Sequence, residues 1–270
     1  MDAAEDADRP AEFVDALAKG LAVLETFDAA HPDLTLSEIA RRVGVSPAAA
    51  RRSLITLSVL GYVGQTGKRF HLRPKVMSLG SGFYFGARIE EFMLPELRQI
   101  VETFGDASSV AMLDGTDVVY IAHHSTQRAR RATAVVGARY PAHATSMGRV
   151  LLADLQDAAL DALLARMEPV PLTSRTIIDK AELRRLILKV RADGYATTVD
   201  QLDYGITALA VPIRSADGRV VAALNSSGYT GMVTPDDLVA ARLGDLRAAA
   251  ARLSAAASRI PALSAAFDSR

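Results

Sequence analysis

Residues 41–57 read RRVGVSPAAARRSLITL. Gly44 is a stop signal for one helix, and Ser46-Pro47 is a start signal for the next: a capping hydroxyl, then a proline at the first helical position, where a missing N–H leaves no partner unsatisfied. Ala50, Leu54 and Leu57 follow i, i+4, i+7 spacing and predict the buried stripe of that second helix. At about 100° per residue, Arg52 points nearly away from the stripe, with Ala48 and Ile55 beside it and Arg51 on the flank. Two short helices across a glycine turn make a helix-turn-helix, whose second helix enters the major groove of DNA. Small side chains at Ala48 and Ala49 permit a close approach.

The flanks extend this reading. Upstream, Thr35 and Glu38 form a capping box, and FVDALAKGLAVLETF (13–27) places Leu17, Leu21, Leu24 and Phe27 at helical spacing, predicting an amphipathic first helix. Downstream, in GYVGQTGKRFHLRP (61–74), Tyr62-Val63 and Arg69 to Leu72 pair as strands around Gln65-Thr66-Gly67-Lys68. Three helices and a basic hairpin over 13–73 make a winged helix-turn-helix, preceded by a tail, 1–12, expected to be disordered.

The formal net charge is zero, with 31 basic and 31 acidic residues, so the bulk balance is silent on partners. Its distribution is not. From Arg41 to Arg88 there is no Asp or Glu, while Arg41, Arg42, Arg51, Arg52, Lys68, Arg69, Arg73, Lys75 and Arg88 all fall inside. An ordinary solvated face mixes signs to limit self-repulsion, whereas an acid-free basic surface is the footprint of a nucleic-acid reader. The candidate DNA contacts are Arg41, Arg42, Ser46, Ala48, Ala49, Arg51 and Arg52 on the helices, with Lys68 and Arg69 on the wing.

Cysteine is absent, which removes disulfides, thiolate metal sites and a thiol nucleophile. The acidic start MDAAEDADRPAEF does not resemble a signal peptide, and no apolar run approaches the ~20 residues of a membrane span, so a cytoplasmic protein without membrane contact is expected. There is no Gly-x-Ser-x-Gly elbow, zinc helix or phosphate-cradling glycine loop. His123 and His124 are neighbours on a strand and point to opposite faces, which disfavours a shared metal. No cofactor or metal is expected.

Beyond residue 74 the pattern changes. KVMSLGSGFYF predicts a linker helix over 74–90, and EEFMLPELRQIVETFG a helix that Pro95 should kink or break. In the remainder, 91–270, Ser108 to Leu113 and Val118 to His124 flank the turn Asp114-Gly115-Thr116-Asp117. Ala208 to Gly228 forms a second hairpin turning at Asp217-Gly218. Helices are predicted at 147–153, 157–166, 180–193 and 234–258. The result is an α+β fold, an antiparallel sheet covered by helices, of sensor type.

FVDALAKGLAVLETF, AARRSLITLSVLGY, PAHATSMGRVLLA and ALAVPIRSADGRVVAALN together resemble the IclR family of bacterial transcription regulators, in particular its aromatic-acid subgroup of PcaR/PcaU/PobR type. That resemblance implies a linker helix between the winged helix and a GAF-like effector-binding and oligomerisation domain, and homodimers or tetramers on double-stranded operator DNA. Carried over by position, its ligand site falls at Ser146, Met147, Gln201, Asp203, Ala208, Asn225 and Ser227. The subgroup carries Arg where this chain has Pro47, and Glu where it has Gln201.

Chemistry supports the same region. Thr145-Ser146 opens a helix whose N-terminal amides suit a carboxylate, Asn225 and Ser227 alternate on one strand face, and Tyr140 and His143 can flank an aromatic ring. Ser146 could equally be an ordinary N-cap, and Asn225 and Ser227 could satisfy buried backbone. The function implied is ligand-responsive DNA binding, with a small, aromatic carboxylic acid as effector. Two alternatives are an enzyme acting on a small carboxylic acid and a constitutive DNA-binding protein whose C-terminal domain only dimerises.

Overall fold

The computed structural model describes residues 10–28, 30–86, 88–126 and 134–257. The chain divides into two compact units, 1–82 and 83–270; residues 1–9 of the tail expected over 1–12, and the last residues, 258–270, lie outside the described residues.

In the first unit, α1 (Asp15–Glu25) precedes β1 (Asp33–Thr35), α2 (Leu36–Val43), α3 (Pro47–Val59), β2 (Val63–Thr66) and β3 (Arg69–Leu72). The capping signals act as read. Thr35 and Glu38 exchange both bonds of the box, Ser46 Oγ accepts from the Ala49 N–H at 3.2 Å, and Gly44 ends α2 with φ of 73°, a left-handed conformation that glycine adopts without a Cβ clash. Ala50, Leu54 and Leu57 are buried with Val23, Leu34, Ile39, Ala40 and Val63 in one core. The first helix packs differently from its predicted stripe: Leu17 and Leu21 are exposed and Val23 is buried, because only the last turns of α1 reach the core. The wing gains a strand that sequence reading missed, giving the antiparallel order β1-β3-β2, and Thr66 pairs with Arg69, so Gly67 and Lys68 alone make the turn.

The stretch 74–90 is not one helix. A single 3-10 turn at Pro74–Val76 leads into α4 (Met77–Gly86), and α5 (Ile89–Phe104) starts after Arg88, whose left-handed backbone breaks the helical path. Pro95 does not break α5.

Among the described residues the second unit is built on six antiparallel strands: β4 (Ala107–Asp114), β5 (Asp117–Ser125), β6 (Arg139–Pro141), β7 (Ala196–Val199), β8 (Ile206–Arg214) and β9 (Val220–Tyr229), in the order β6-β5-β4-β9-β8-β7. Alternate strand residues feed two cores. Leu209, Val211 and Leu224 pack under α5 and α9 (Pro235–Ala257), while Ala111, Ala210 and Ala223 pack under α6 (Ser146–Leu152), α7 (Asp157–Arg166) and α8 (Lys180–Asp193). Small alanines on the second face let α6 lie close to the sheet. Gly148 takes this furthest, since a Cβ there would stand 2.1 Å from the Ala142 carbonyl oxygen.

Candidate DNA-facing surface and effector cavity

On the first unit, Arg51 and Arg52 are exposed opposite the buried stripe of α3, with Ser46 and Ala48 exposed at its start and Ala49 half-buried. The acid-free window proves narrower as a surface than as a sequence. Arg69, expected on the wing as a DNA contact, is turned onto Asp33: Nε donates to Oδ1 at 2.6 Å and Nη2 to the backbone carbonyl at 3.1 Å. That bond raises the Arg69 pKa above its ordinary value. Arg42 leans on Thr26 O and Asp28, Lys75 donates to Leu60 O, and Arg88 pairs with Glu91. Every acid involved sits just outside the window, where a count along the chain cannot see it. Arg41, Arg51, Arg52, Lys68 and Arg73 have no side-chain bond or ion pair with any described residue.

On the second unit, the α6 side of the sheet opens into a cavity of about 530 Å³, its mouth included. A bulge prepares one wall: Val110 pairs with Ala122 and Ala111 with Tyr120, leaving Ile121 as the extra residue. Tyr120 and His123 thereby face the same space. Ser109 Oγ lies 2.9 Å from His123 Nδ1, and burial, followed by the adjacent His124, holds the His123 pKa below the ordinary imidazole value. Tyr140 meets Tyr120 edge-on at 5.0 Å between centroids. Asn225 Oδ1 accepts from the Ser109 N–H at 2.8 Å, which fixes its amide, and the nitrogen bonds no described residue.

The opposite wall is the start of α6. Thr145 Oγ1, not Ser146, caps the helix by accepting from the Gly148 N–H at 2.9 Å. Ser146 is 2% exposed and lines the cavity, and among the described residues its Oγ is the buried side-chain oxygen or nitrogen without a hydrogen-bond partner. Buried hydroxyls are almost always bonded, and leaving one unbonded costs about 1–3 kcal/mol.

Of the residues expected at this site, Tyr140, Ser146, Ala208, Asn225 and Ser227 line one cavity. The others do not contribute to its walls. His143 is buried against Val170, its Nε2 3.2 Å from that carbonyl; Met147 is packed into the core; Gln201 turns to Arg149; and Asp203 lies off the cavity. A helix turns adjacent residues about 100° apart, so Met147 cannot share the direction of Ser146. Sequence reading missed Ser109, Tyr120, His123, Thr198 and Leu202. Alternation from Asn225 through the sheet would have found Ser109 had the β4–β9 pairing been known. Among the described residues no group of three His, Cys, Asp or Glu could hold a metal, and no helix is long and apolar enough to cross a membrane.

Two family models match this layout, the IclR helix-turn-helix domain over residues 16–67 and the bacterial transcriptional regulator IclR C-terminal domain over 86–255. The chain belongs to the IclR family. It is similar to the Pca regulon regulatory protein of Pseudomonas putida, with 39% identity over 84% of this chain and 78% of that protein. It is also similar to the p-hydroxybenzoate hydroxylase transcriptional activator of Acinetobacter baylyi, with 32% identity over 86% of this chain and 87% of the relative. Among solved structures, an IclR homologue from Microbacterium hydrocarbonoxydans complexed with 4-hydroxybenzoate superposes with a TM-score of 0.72 at 25% identity, over 93% of this chain and 100% of that one. This IclR-family chain is therefore a ligand-responsive transcription regulator and not an enzyme.

Proposed function

We propose that this regulator senses an aromatic carboxylate of the protocatechuate or 4-hydroxybenzoate type in the α6 cavity and controls genes for its catabolism. The observation that carries the ligand site is the unpartnered Ser146 hydroxyl, buried beside apolar and aromatic walls where a small polar ligand would bond it. Tyr120 and Tyr140 supply surfaces for a ring, and Asn225 and Ser109 supply polar edges. The names of the Pseudomonas and Acinetobacter relatives and the ligand of the Microbacterium structure support the same chemical class.

In this reading the winged helix over 13–73 holds double-stranded operator DNA through α3, with Arg52 leading, and Lys68 at the wing meets phosphate. Segment 74–90 links it to an effector-binding and oligomerisation domain over 91–270, and the cytoplasmic protein works as a homodimer or tetramer. Effector changes DNA affinity only through unequal binding to the DNA-competent and other arrangements.

The test is a thermal melt with 4-hydroxybenzoate or protocatechuate, followed by operator titration. A ligand at 100 times its Kd stabilises the native state by about 2.7 kcal/mol and raises the melting temperature. Ser146→Ala should weaken ligand about tenfold, the worth of one hydrogen bond in a buried site, and raise the ligand-free melting temperature, because it removes a buried hydroxyl that has no partner there. If neither acid moves the melting temperature, the effector class is wrong.

A further inference from the structure

Tyr120 and His123 both line the effector cavity, although strict strand alternation from Tyr120 would carry residues 122 and 124 to that face and send His123 away. The bulge in β5 reverses the order. Ile121 and Ala122 both enter the core under α5 and α9, and the register resumes with His123 opposite Ser109 and His124 opposite Ser108. One extra residue thus exchanges which of two adjacent histidines meets the ligand space, and re-aiming a side chain is a recurrent use of bulges beside functional sites.

The ring is held by one of its nitrogens. Ser109 Oγ lies 2.9 Å from His123 Nδ1, and Ser109 is itself 3% exposed and pinned by its N–H, which donates to Asn225 Oδ1. His123 Nε2 bonds no described residue. Burial, followed by the adjacent His124, keeps the imidazole below its ordinary pKa and so uncharged at neutral pH. An uncharged imidazole has one donor and one acceptor nitrogen; with the Nδ1 proton given to Ser109 Oγ, Nε2 presents a bare lone pair.

The cavity is short of such acceptors. Among the described residues no Asp or Glu lines it, and Asn225 Oδ1 and Thr145 Oγ1 are spent on backbone N–H groups. Gln201 gives its oxygen to Arg149 and lies off the walls. The remaining side-chain oxygens of the walls are hydroxyls, less basic than an imidazole nitrogen. A carboxylate only accepts, so the Ser146 hydroxyl and the Asn225 amide nitrogen can serve it, whereas a phenolic hydroxyl donates and needs an acceptor of its own.

We infer that His123, aimed by the bulge and by Ser109, reads a ring hydroxyl of the effector by accepting its hydrogen bond at Nε2, and so sets the preference for hydroxylated over plain aromatic acids. The inference rests on the effector reading above and names the specificity residue within it. Ser109 is a positioning residue that acts through the imidazole.

The experiment titrates the full chain calorimetrically with benzoate, 4-hydroxybenzoate and protocatechuate. Wild type should bind the tighter of the two hydroxylated acids about tenfold or more above benzoate, the worth of one buried hydrogen bond. His123→Phe, which keeps a ring and removes both nitrogens, should bring that ratio close to one with benzoate affinity unchanged; a purely structural role would weaken all three acids alike. Ser109→Ala should lower the same ratio by about threefold, and an unchanged ratio there overturns the part assigned to Ser109. A ratio in H123F equal to that of wild type overturns the inference while the effector reading stands, as does a wild type that binds benzoate as tightly as the hydroxylated acids. Should H123F fail to fold, His123→Ala decides by the same ratio. Binding of none of the three acids to wild type overturns the effector reading and this inference with it.

Discussion

Within the thirteen residues of α3, the helix repeat sends Ala50, Leu54 and Leu57 into the core and leaves Arg51 and Arg52 in solvent. The cavity of the second unit works at another scale: Ser109 and Asn225 share a hydrogen bond across 116 residues of chain, and Ser146 reaches the same space from a helix between them. A recognition face is thus a property of one segment, and a cavity is a property of strand pairing. The first tolerates change in its exposed half, because those side chains hold nothing up. In the second, most wall residues, Ser109, Asn225 and Ser146 among them, are also part of a strand or helix.

The largest effect should fall on the second kind of surface. Gly148→Ala would drive a Cβ against the backbone of Ala142, at 2.1 Å from O and 2.4 Å from Cα, where no side chain can yield. Overpacking costs about 1–3 kcal/mol even where neighbours adjust, so about 3 kcal/mol is expected from denaturant unfolding. An unchanged midpoint would mean that α6 slides freely on the sheet. Next in size, Arg52→Ala should cost about 1–3 kcal/mol of operator affinity and relax sequence preference, with the melting temperature unmoved. Operator binding equal to wild type would remove Arg52 from the reading face and leave α3 with no named base contact.

The same difference of scale decides what could be read beforehand. Caps, helix limits and the buried stripe of α3 follow from residues within one or two turns, and Thr35, Ser46, Gly44 and Leu54 all act as their local chemistry implies. Asp157–Arg166 and Lys180–Asp193 likewise form helices at their predicted limits. The three-residue strands β1 and β6 escaped notice because so short a segment has no periodicity of its own. Position-by-position transfer brought Asn225, Ser227, Ala208 and Ser146 to one cavity, yet it could not tell wall from support. Gln201 and Met147 stand next to wall residues and face away from the space, and only the direction of the side chain separates the two roles.

Charge shows the limit most plainly, and it yields the smallest expected effect. Lys68 at the wing turn has no ion pair among the described residues, while Arg69 beside it is bound to Asp33, an acid eight positions before the acid-free window begins. Each phosphate neutralised contributes about 0.9 to the slope of log K against log salt. Lys68→Ala should therefore lower the magnitude of that slope by about one and weaken all sequences alike. Arg69→Ala should change it little, since its guanidinium is already engaged. Asp33→Ala should steepen the slope by releasing Arg69 toward the phosphates, raising non-specific affinity most at low salt. Salt titrations on operator and random DNA decide the matter: if Arg69→Ala flattens the slope as much as Lys68→Ala does, the Asp33 pair opens on DNA, and the wing presents two cations instead of one.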